Sequence, residues 1–483
     1  FTVQYLKECT RLFQHFIAGR PEFLSVEIPV GITGGLPSII PGDLRSRIRD
    51  GDSGAIRLTF TVLSVYRVLK VPGKLKLSSI TDPFKGDQES LARPEIIRGL
   101  RSFFDKKNVQ RLNKLQPVTL VRSGSAGPNS NSSLRGLWYD VMAWNRNPIL
   151  KEDLFKYGSF LEGGLDFLNR LFAQSDLLEE VYSSDKPLYL GRLSLKEEAA
   201  GKIRVFAITD CITQSLMAPL SDWIFSVLKK IPMDGTFDQS APLKRLQTLM
   251  SEGAIKGEIY SYDLSSATDR LPILLQKDIL SILSGNEDFA SSWCSIMTSR
   301  EWTLLKNKST DMYISEDLHL KYSVGQPMGA LSSWAMLALT HHILVHIAAK
   351  RVNKHQFNHY ALLGDDIVIG DNLVAQSYHY LMTQQLGVEI NLHKSLISED
   401  SFEFAKRLIK SNDEFSPVGP KNLLVGMKSI KGIPSILLDL YNKGFKDLDE
   451  QKIRTMFSSI PGVSNKKAQD MMWFLLGPFG CVS

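Results

Sequence analysis

Residues 360–370 read Tyr-Ala-Leu-Leu-Gly-Asp-Asp-Ile-Val-Ile-Gly, two short apolar runs on either side of Gly364-Asp365-Asp366. Runs of this kind flanking a Gly/Asp bend predict a tight β-hairpin with glycine at the turn. Two adjacent carboxylates at its tip repel each other, so folding alone gives little reason to place them there. A divalent cation removes that repulsion, because hard cations take carboxylate and phosphate oxygens as ligands. For a lone Gly-Asp-Asp a plain Asp-rich turn is the better reading. The segments around it decide between the two.

About a hundred residues upstream, Glu258-Ile-Tyr-Ser-Tyr-Asp-Leu predicts a strand with Asp263 at its C-terminal end. Pro272 then opens an amphipathic helix through about Leu283, proline being tolerated in a first turn. A carboxylate leaving a strand end beside an Asp-bearing hairpin fits a two-cation clamp, with the ions roughly 4 Å apart, as used in in-line phosphoryl transfer. Taken alone, Asp263 reads equally well as a helix cap or turn residue. Between the two segments, Ser323-Val-Gly-Gln-Pro-Met-Gly-Ala-Leu-Ser-Ser feeds an apolar helix that runs to about Lys350. The small residues of this loop, Gly329 among them, permit close backbone approach to a ligand, and Ser332 and Ser333 offer hydroxyls to a sugar.

In this order, Asp-Leu-Ser-Ser-Ala-Thr-Asp (263–269), Gly-Gln-Pro-Met-Gly-Ala-Leu-Ser-Ser (325–333) and Gly-Asp-Asp (364–366) resemble the A, B and C motifs of viral RNA-dependent RNA polymerases. Their wording is similar to the mitovirus branch of the narnavirus and levivirus lineage. Gly191–Phe206 resembles the basic fingers motif that meets the incoming nucleotide. Asp234–Gln239 resembles a segment of mitovirus polymerases, Gly387–Ser395 the fourth palm motif, and Val71–Phe84 is also similar, with less weight.

The resemblance implies an α+β right hand: N-terminal region and fingers over 1–255, a palm of antiparallel strands packed on helices over 256–410, and a helical thumb over 411–483 with helices at 447–458 and 466–476. It implies Asp263 and Asp365 as principal ligands of Mg²⁺ (with Mn²⁺ as a substitute), with Asp366 as accessory. Asp269 would meet the ribose with Ser333 as its hydrogen-bonding partner. Its spacing of six from Asp263 is one longer than in many polymerases and is shared by leviviral enzymes. Leu337 stands where many polymerases carry an Asn that helps read the 2′-hydroxyl. Lys202 and Arg204 alternate with Ile203 and Val205, so a strand puts both cations on one face, suited to a triphosphate. Arg192 and Lys196 are candidates for the same nucleotide channel, and Lys394 for a general acid toward departing pyrophosphate. The implied partners are an RNA template, nascent RNA and NTPs. The implied setting is replication of a positive-strand RNA genome in the host mitochondrion, without a capsid.

Other readings are weaker. His342/His346 and His355/His359 are four apart, as on a helix face, but no acidic or cysteine ligands at zinc-like spacing accompany them. The four cysteines form no CxxC pair and read as reduced intracellular thiols. No run of about eighteen uninterrupted apolar residues suggests a membrane span, so a soluble protein is expected. At 483 residues with net charge +6, the chain is expected to form several subdomains. Its basic clusters at Lys70–Lys76, Arg101–Lys114 and around Lys202 read as an RNA path or as solvated helix faces, and for Arg101–Lys114 the sequence favours neither. Ser123–Ser133 reads as a flexible loop. The chain begins at Phe1 rather than Met, so a preceding piece carrying any targeting signal is expected. A reverse transcriptase shares the same palm and metals, but Asp269, Ser333 and Gly364 favour RNA synthesis. An inactive RNA-binding relic is disfavoured by the intact Asp263, Asp365 and Asp366.

Overall fold

The computed structural model describes residues 1–22, 28–104, 112, 115–121, 123–181, 187–308, 313–391 and 394–428, with isolated positions and short pieces beyond, up to 473. All but single positions of the expected helices at 447–458 and 466–476 lie outside the described residues. So do the cations of the Arg101–Lys114 run other than Arg101. The chain forms two compact units, 1–71 with 396–483, and 72–395.

In the first unit, helix Thr2–Ile17 turns Cys9, Leu12, Phe13 and Ile17 inward at helical spacing. They share a core with Ile56, Phe60 and Leu63 of helix Ser53–Leu63 and with Leu408 and Phe415. The second helix starts at Asp52, whose carboxylate accepts the Ala55 N–H at 3.1 Å, a side-chain cap of an otherwise unpaired donor. Leu408 lies in an antiparallel ribbon of Ser401–Phe404, Arg407–Lys410 and Asp413–Glu414.

The second unit contains, in chain order, α1 (Arg93–Phe103), β1 (Gly191–Glu198), β2 (Lys202–Thr209), α2 (Cys211–Leu228), β3 (Ile259–Asp263), α3 (Ile273–Ser284), α4 (Glu287–Thr298), β4 (Trp302–Leu304), β5 (Leu318–Leu320), α5 (Leu331–Arg351), β6 (Tyr360–Leu363), β7 (Asp366–Ile369) and α6 (Asn372–Tyr380). α5 is apolar nearly all round and therefore takes the centre of the unit. Its residues from Ala335 to Ala349 are all buried. It packs against α1, α2 and α6. Gly99 of α1 permits that closeness, because a Cβ there would collide with Ile347. By length and composition α5 is able to cross a membrane, but most of it is covered by the protein, as a core helix is.

Two sheets flank this core. β6, β7 and β3 are antiparallel neighbours, in register from Leu363↔Asp366 and from Asp366↔Asp263. The other sheet has the order β2-β1-β4-β5. There Leu193, Ala207, Trp302, Leu304 and Tyr322 form a buried cluster with Ile80. The fold class is thus α+β, with an antiparallel sheet packed on helices, as the sequence suggested. The Ser/Gly segment expected to be a flexible loop is instead pinned: Asn129 donates to Asp140 (2.8 Å) and to the Tyr189 carbonyl (2.9 Å), and accepts the Tyr189 N–H.

Candidate active site

The turn between β6 and β7 is only Gly364-Asp365. Gly364 sits at φ +61, in the left-handed region that glycine enters without strain. The tight turn starts β7 at Asp366, directly opposite Asp263 at the end of β3. The Leu264 N–H donates to the Asp365 carbonyl at 3.3 Å. Three carboxylates from positions 263, 365 and 366 therefore gather at one sheet end by backbone register alone.

Desolvation raises the Asp365 pKa although its residue surface borders solvent, and the nearby Asp263 charge raises it further. Its own backbone N–H, Lys202 and Arg204 oppose the rise. Asp263 is 27% exposed and receives the Lys394 ammonium at 3.0 Å from Oδ2. Lys394 is brought there because the segment after α6 runs beside β3: the Ser265 N–H donates to the Glu389 carbonyl and the Asn391 N–H to the Asp263 carbonyl. Among the described residues no group of three or more His, Cys, Asp or Glu side chains is placed so that it could hold a metal ion by itself. A facing pair of hard oxygen donors that repel each other, open on one side, suits a divalent cation whose shell is completed by phosphate oxygens. The donor set fits Mg²⁺ and is unlike the N/S set of zinc.

The β1–β2 ribbon supplies the opposing charge. Lys196↔Arg204 and Glu198↔Lys202 are paired positions in its antiparallel register. All four side chains therefore share one face, while Leu195 and Val205 pack on the other. Arg204 Nε lies 2.8 Å from Glu198 Oε2. Despite desolvation, that bond and the charges of Arg204, Lys202 and Lys196 hold Glu198 below its ordinary pKa. Desolvation, Arg204 and Lys394 lower the Lys202 pKa, against Glu198 and Asp365. These interactions tie Lys202, Arg204, Lys394, Asp263 and Asp365 into one electrostatic neighbourhood. Arg192 is set apart, opposite Ile208 and Thr303 toward the far end of the ribbon.

The candidates for sugar contact have partners the sequence did not suggest. Asp269 Oδ2 accepts from Ser79 Oγ at 2.7 Å, not from Ser333. Desolvation raises its pKa, opposed by that hydrogen bond and Arg270. Arg270 donates to the Asp82 and Pro83 carbonyls, both at 2.8 Å, and so holds the Ser79 segment in place. The Ser333 hydroxyl is 2% exposed and has no hydrogen-bond partner among the described residues. Ser332 is committed to the core, where its hydroxyl accepts from Trp293 Nε1 at 3.0 Å. Gly329 (φ +134) lies so close to the Ala207 carbonyl that a Cβ would collide with it, and Ala207 N–H donates to Met328 O at 2.8 Å. Its smallness thus serves the contact with β2. Leu337 is buried.

Beneath the hairpin lies a network that gives His342 and His346 hydrogen-bonding partners which the sequence did not suggest. His342 bridges Tyr360 OH (2.9 Å) and Asp234 Oδ2 (3.0 Å). His346 meets Ser102 Oγ at 3.0 Å. His341 bridges the Gly364 carbonyl and Tyr378 OH. The signal was three histidines in a helix otherwise apolar enough for a core; their partners are distant in sequence.

The polymerase of a human picobirnavirus superposes on 96% of this chain and 88% of its own, with TM-score 0.54 and 16% identity. The fold is therefore that of the viral RNA-dependent RNA polymerases. The sequence matches the family described as mitovirus RNA-dependent RNA polymerase over residues 110–472. It is 35% identical over 440 residues to the RNA-directed RNA polymerase of Cryphonectria parasitica mitovirus 1, across 86% of this chain and 51% of that protein. The chain thus spans about half the length of that relative. It is also 38% identical over 254 residues to an uncharacterised mitochondrial protein of Arabidopsis thaliana, across 49% of this chain and 95% of the other. This chain belongs to the mitovirus RNA-dependent RNA polymerase family.

Proposed function

We propose that the chain carries RNA-templated RNA synthesis, copying a positive-strand RNA genome from NTPs with release of pyrophosphate. The observation that carries the reading is the register that sets Asp366 across from Asp263, with Lys202 and Arg204 acting on the adjoining Asp365. Negative groups able to hold cations and positive groups able to hold a triphosphate meet at one place. Two Mg²⁺ ions, or Mn²⁺ in their stead, held by Asp263, Asp365 and Asp366, would lower the pKa of the growing strand's 3′-hydroxyl and neutralise phosphate charge.

The protein's own groups do the rest. Lys202 and Arg204, with Lys196 beside them, bind the triphosphate, Arg as a fork and Lys as a point charge. Arg192 extends that basic path. Asp269, held by Ser79, meets the ribose, joined by the Ser333 hydroxyl once that buried side chain turns toward the nucleotide, with Gly329 letting the intervening loop lie close to β2. Lys394 Nζ, on Asp263 in this structure, donates a proton to the departing pyrophosphate. Base pairing with the template supplies sequence specificity. The mitovirus relative and the plant mitochondrial protein support a mitochondrial setting.

The test is extension on a heteropolymeric RNA template with Mg²⁺, offering NTPs or dNTPs in parallel. NTP-dependent product is expected. Product from dNTPs alone would assign the chain to reverse transcription instead.

A further inference from the structure

α5 reaches the turn between β6 and β7 at two points seven residues apart, which lie on one face of a helix. Trp334 covers Gly364 so closely that any Cβ there would collide with its ring. His341, 1% exposed, places Nδ1 at 2.8 Å from the Gly364 carbonyl and Nε2 at 2.6 Å from Tyr378 OH. A carbonyl oxygen only accepts, so Nδ1 carries the proton and Nε2 accepts from the tyrosine hydroxyl. Burial pushes the His341 pKa down to about 4, against its bond to Gly364, so the ring is neutral at ordinary pH in the one tautomer that satisfies both neighbours. The Tyr378 ring stacks on His341 (5.8 Å, 20°) and on Tyr262 (6.1 Å, 12°). Tyr262 directly precedes Asp263, and Gly364 directly precedes Asp365. A continuous line of contacts, Gly364–His341–Tyr378–Tyr262, thus joins the two strands that carry the carboxylates.

We propose that His341 is a positioning residue: acting with Tyr378, it fixes the Gly364 turn and hence the placement of the Asp365 carboxylate relative to Asp263. Its catalytic consequence rests on the polymerase reading; its geometric consequence does not.

The test compares the full chain with His341→Leu, His341→Asn and Tyr378→Phe. It measures kcat and the NTP KM on an RNA template, and amide hydrogen exchange across 363–366 and across the β1–β2 ribbon. His341→Leu should lower kcat by about tenfold or more with KM within about twofold, because a misplaced reacting group costs the chemical step and not binding. His341→Asn, whose side-chain amide reaches toward the Nδ1 position, should recover part of that loss. Tyr378→Phe should show a smaller loss of about threefold. Exchange should quicken in 363–366 and stay unchanged in the ribbon. Unchanged kcat in both His341→Leu and Tyr378→Phe would overturn the proposal. So would equal losses in the Leu and Asn variants accompanied by faster exchange in both segments, the mark of general loosening. If the unaltered chain makes no RNA, the polymerase reading fails, and the exchange comparison still decides whether His341 holds the turn.

Discussion

Two clusters of charge lie in the second unit and are treated in opposite ways. Arg300 and Asp210 are each 1% exposed and 2.8 Å apart. The other guanidinium donors reach the Ile296 carbonyl (2.7 Å), the Leu190 carbonyl (3.0 Å) and Thr213 Oγ1 (2.9 Å). The guanidinium lies 4.8 Å from the Trp144 ring centroid. Asp210 also caps α2 by accepting the Thr213 N–H at 2.8 Å. Where β3 ends and β7 begins, by contrast, Asp263 and Asp365 repel each other, with an exposed lysine on Asp263. The Arg300–Asp210 pair spends its charge on architecture, and its neighbour Asp140, raised in pKa by burial and by Asp210, is a second interior carboxyl. At the strand end Asp365 is only partly offset by Lys202 and Arg204, an arrangement that is costly for folding and useful for binding cations and phosphates.

The comparison can be broken at the interior first. Arg300→Leu leaves Asp210 buried without its partner and should cost about 3–5 kcal/mol, read as a large fall in thermal midpoint. A loss of synthesis with no loss of stability would assign Arg300 to the reaction and dissolve the contrast. A smaller effect is expected at the site: Arg204→Ala should raise the NTP KM by about tenfold, the value of roughly one charge-assisted bond, with the melting curve unchanged. A drop in stability matching Arg300→Leu would show that the ribbon cations serve the fold.

A further difference between interior and surface charge shows in pH. Burial, His342 and Lys350 push the His346 pKa down to about 3, whereas an unfolded histidine titrates near 6.5. Between those values the unfolded chain binds a proton that the folded chain does not. Stability is therefore fully present above about pH 6.5 and falls as the solution is acidified toward 3. Replacing His346 with Gln should flatten that slope by up to about 1.4 kcal/mol per pH unit. An unchanged slope would mean the histidine is not buried neutral.

Much of the site was legible because its signals are local. The hairpin at 360–370, the strand ending at Asp263 and the alternation of Lys202 and Arg204 each follow from neighbouring residues. The helix after Pro272 and α5 ended within a residue or so of their expected limits. What escaped depends on pairs far apart in sequence. Ser79 reaches Asp269 across 190 positions, and nothing in either segment says which hydroxyl will face that carboxylate. Thr2–Ile17 shares its core with Leu408 and Phe415, a meeting of distant segments that periodicity cannot reveal. The α5 histidines showed only their spacing; Asp234, Tyr360 and Tyr378 became their partners through tertiary packing.

Whether the carboxylates at the strand end serve the reaction and not the fold is decided by Asp365→Asn, measuring RNA-templated synthesis and thermal midpoint on the same preparation. Synthesis should fall by a factor on the order of a hundred or more, with a midpoint unchanged or raised, since one repelling charge is gone. Retained synthesis, or a midpoint that falls together with synthesis, would show that Asp365 serves the fold.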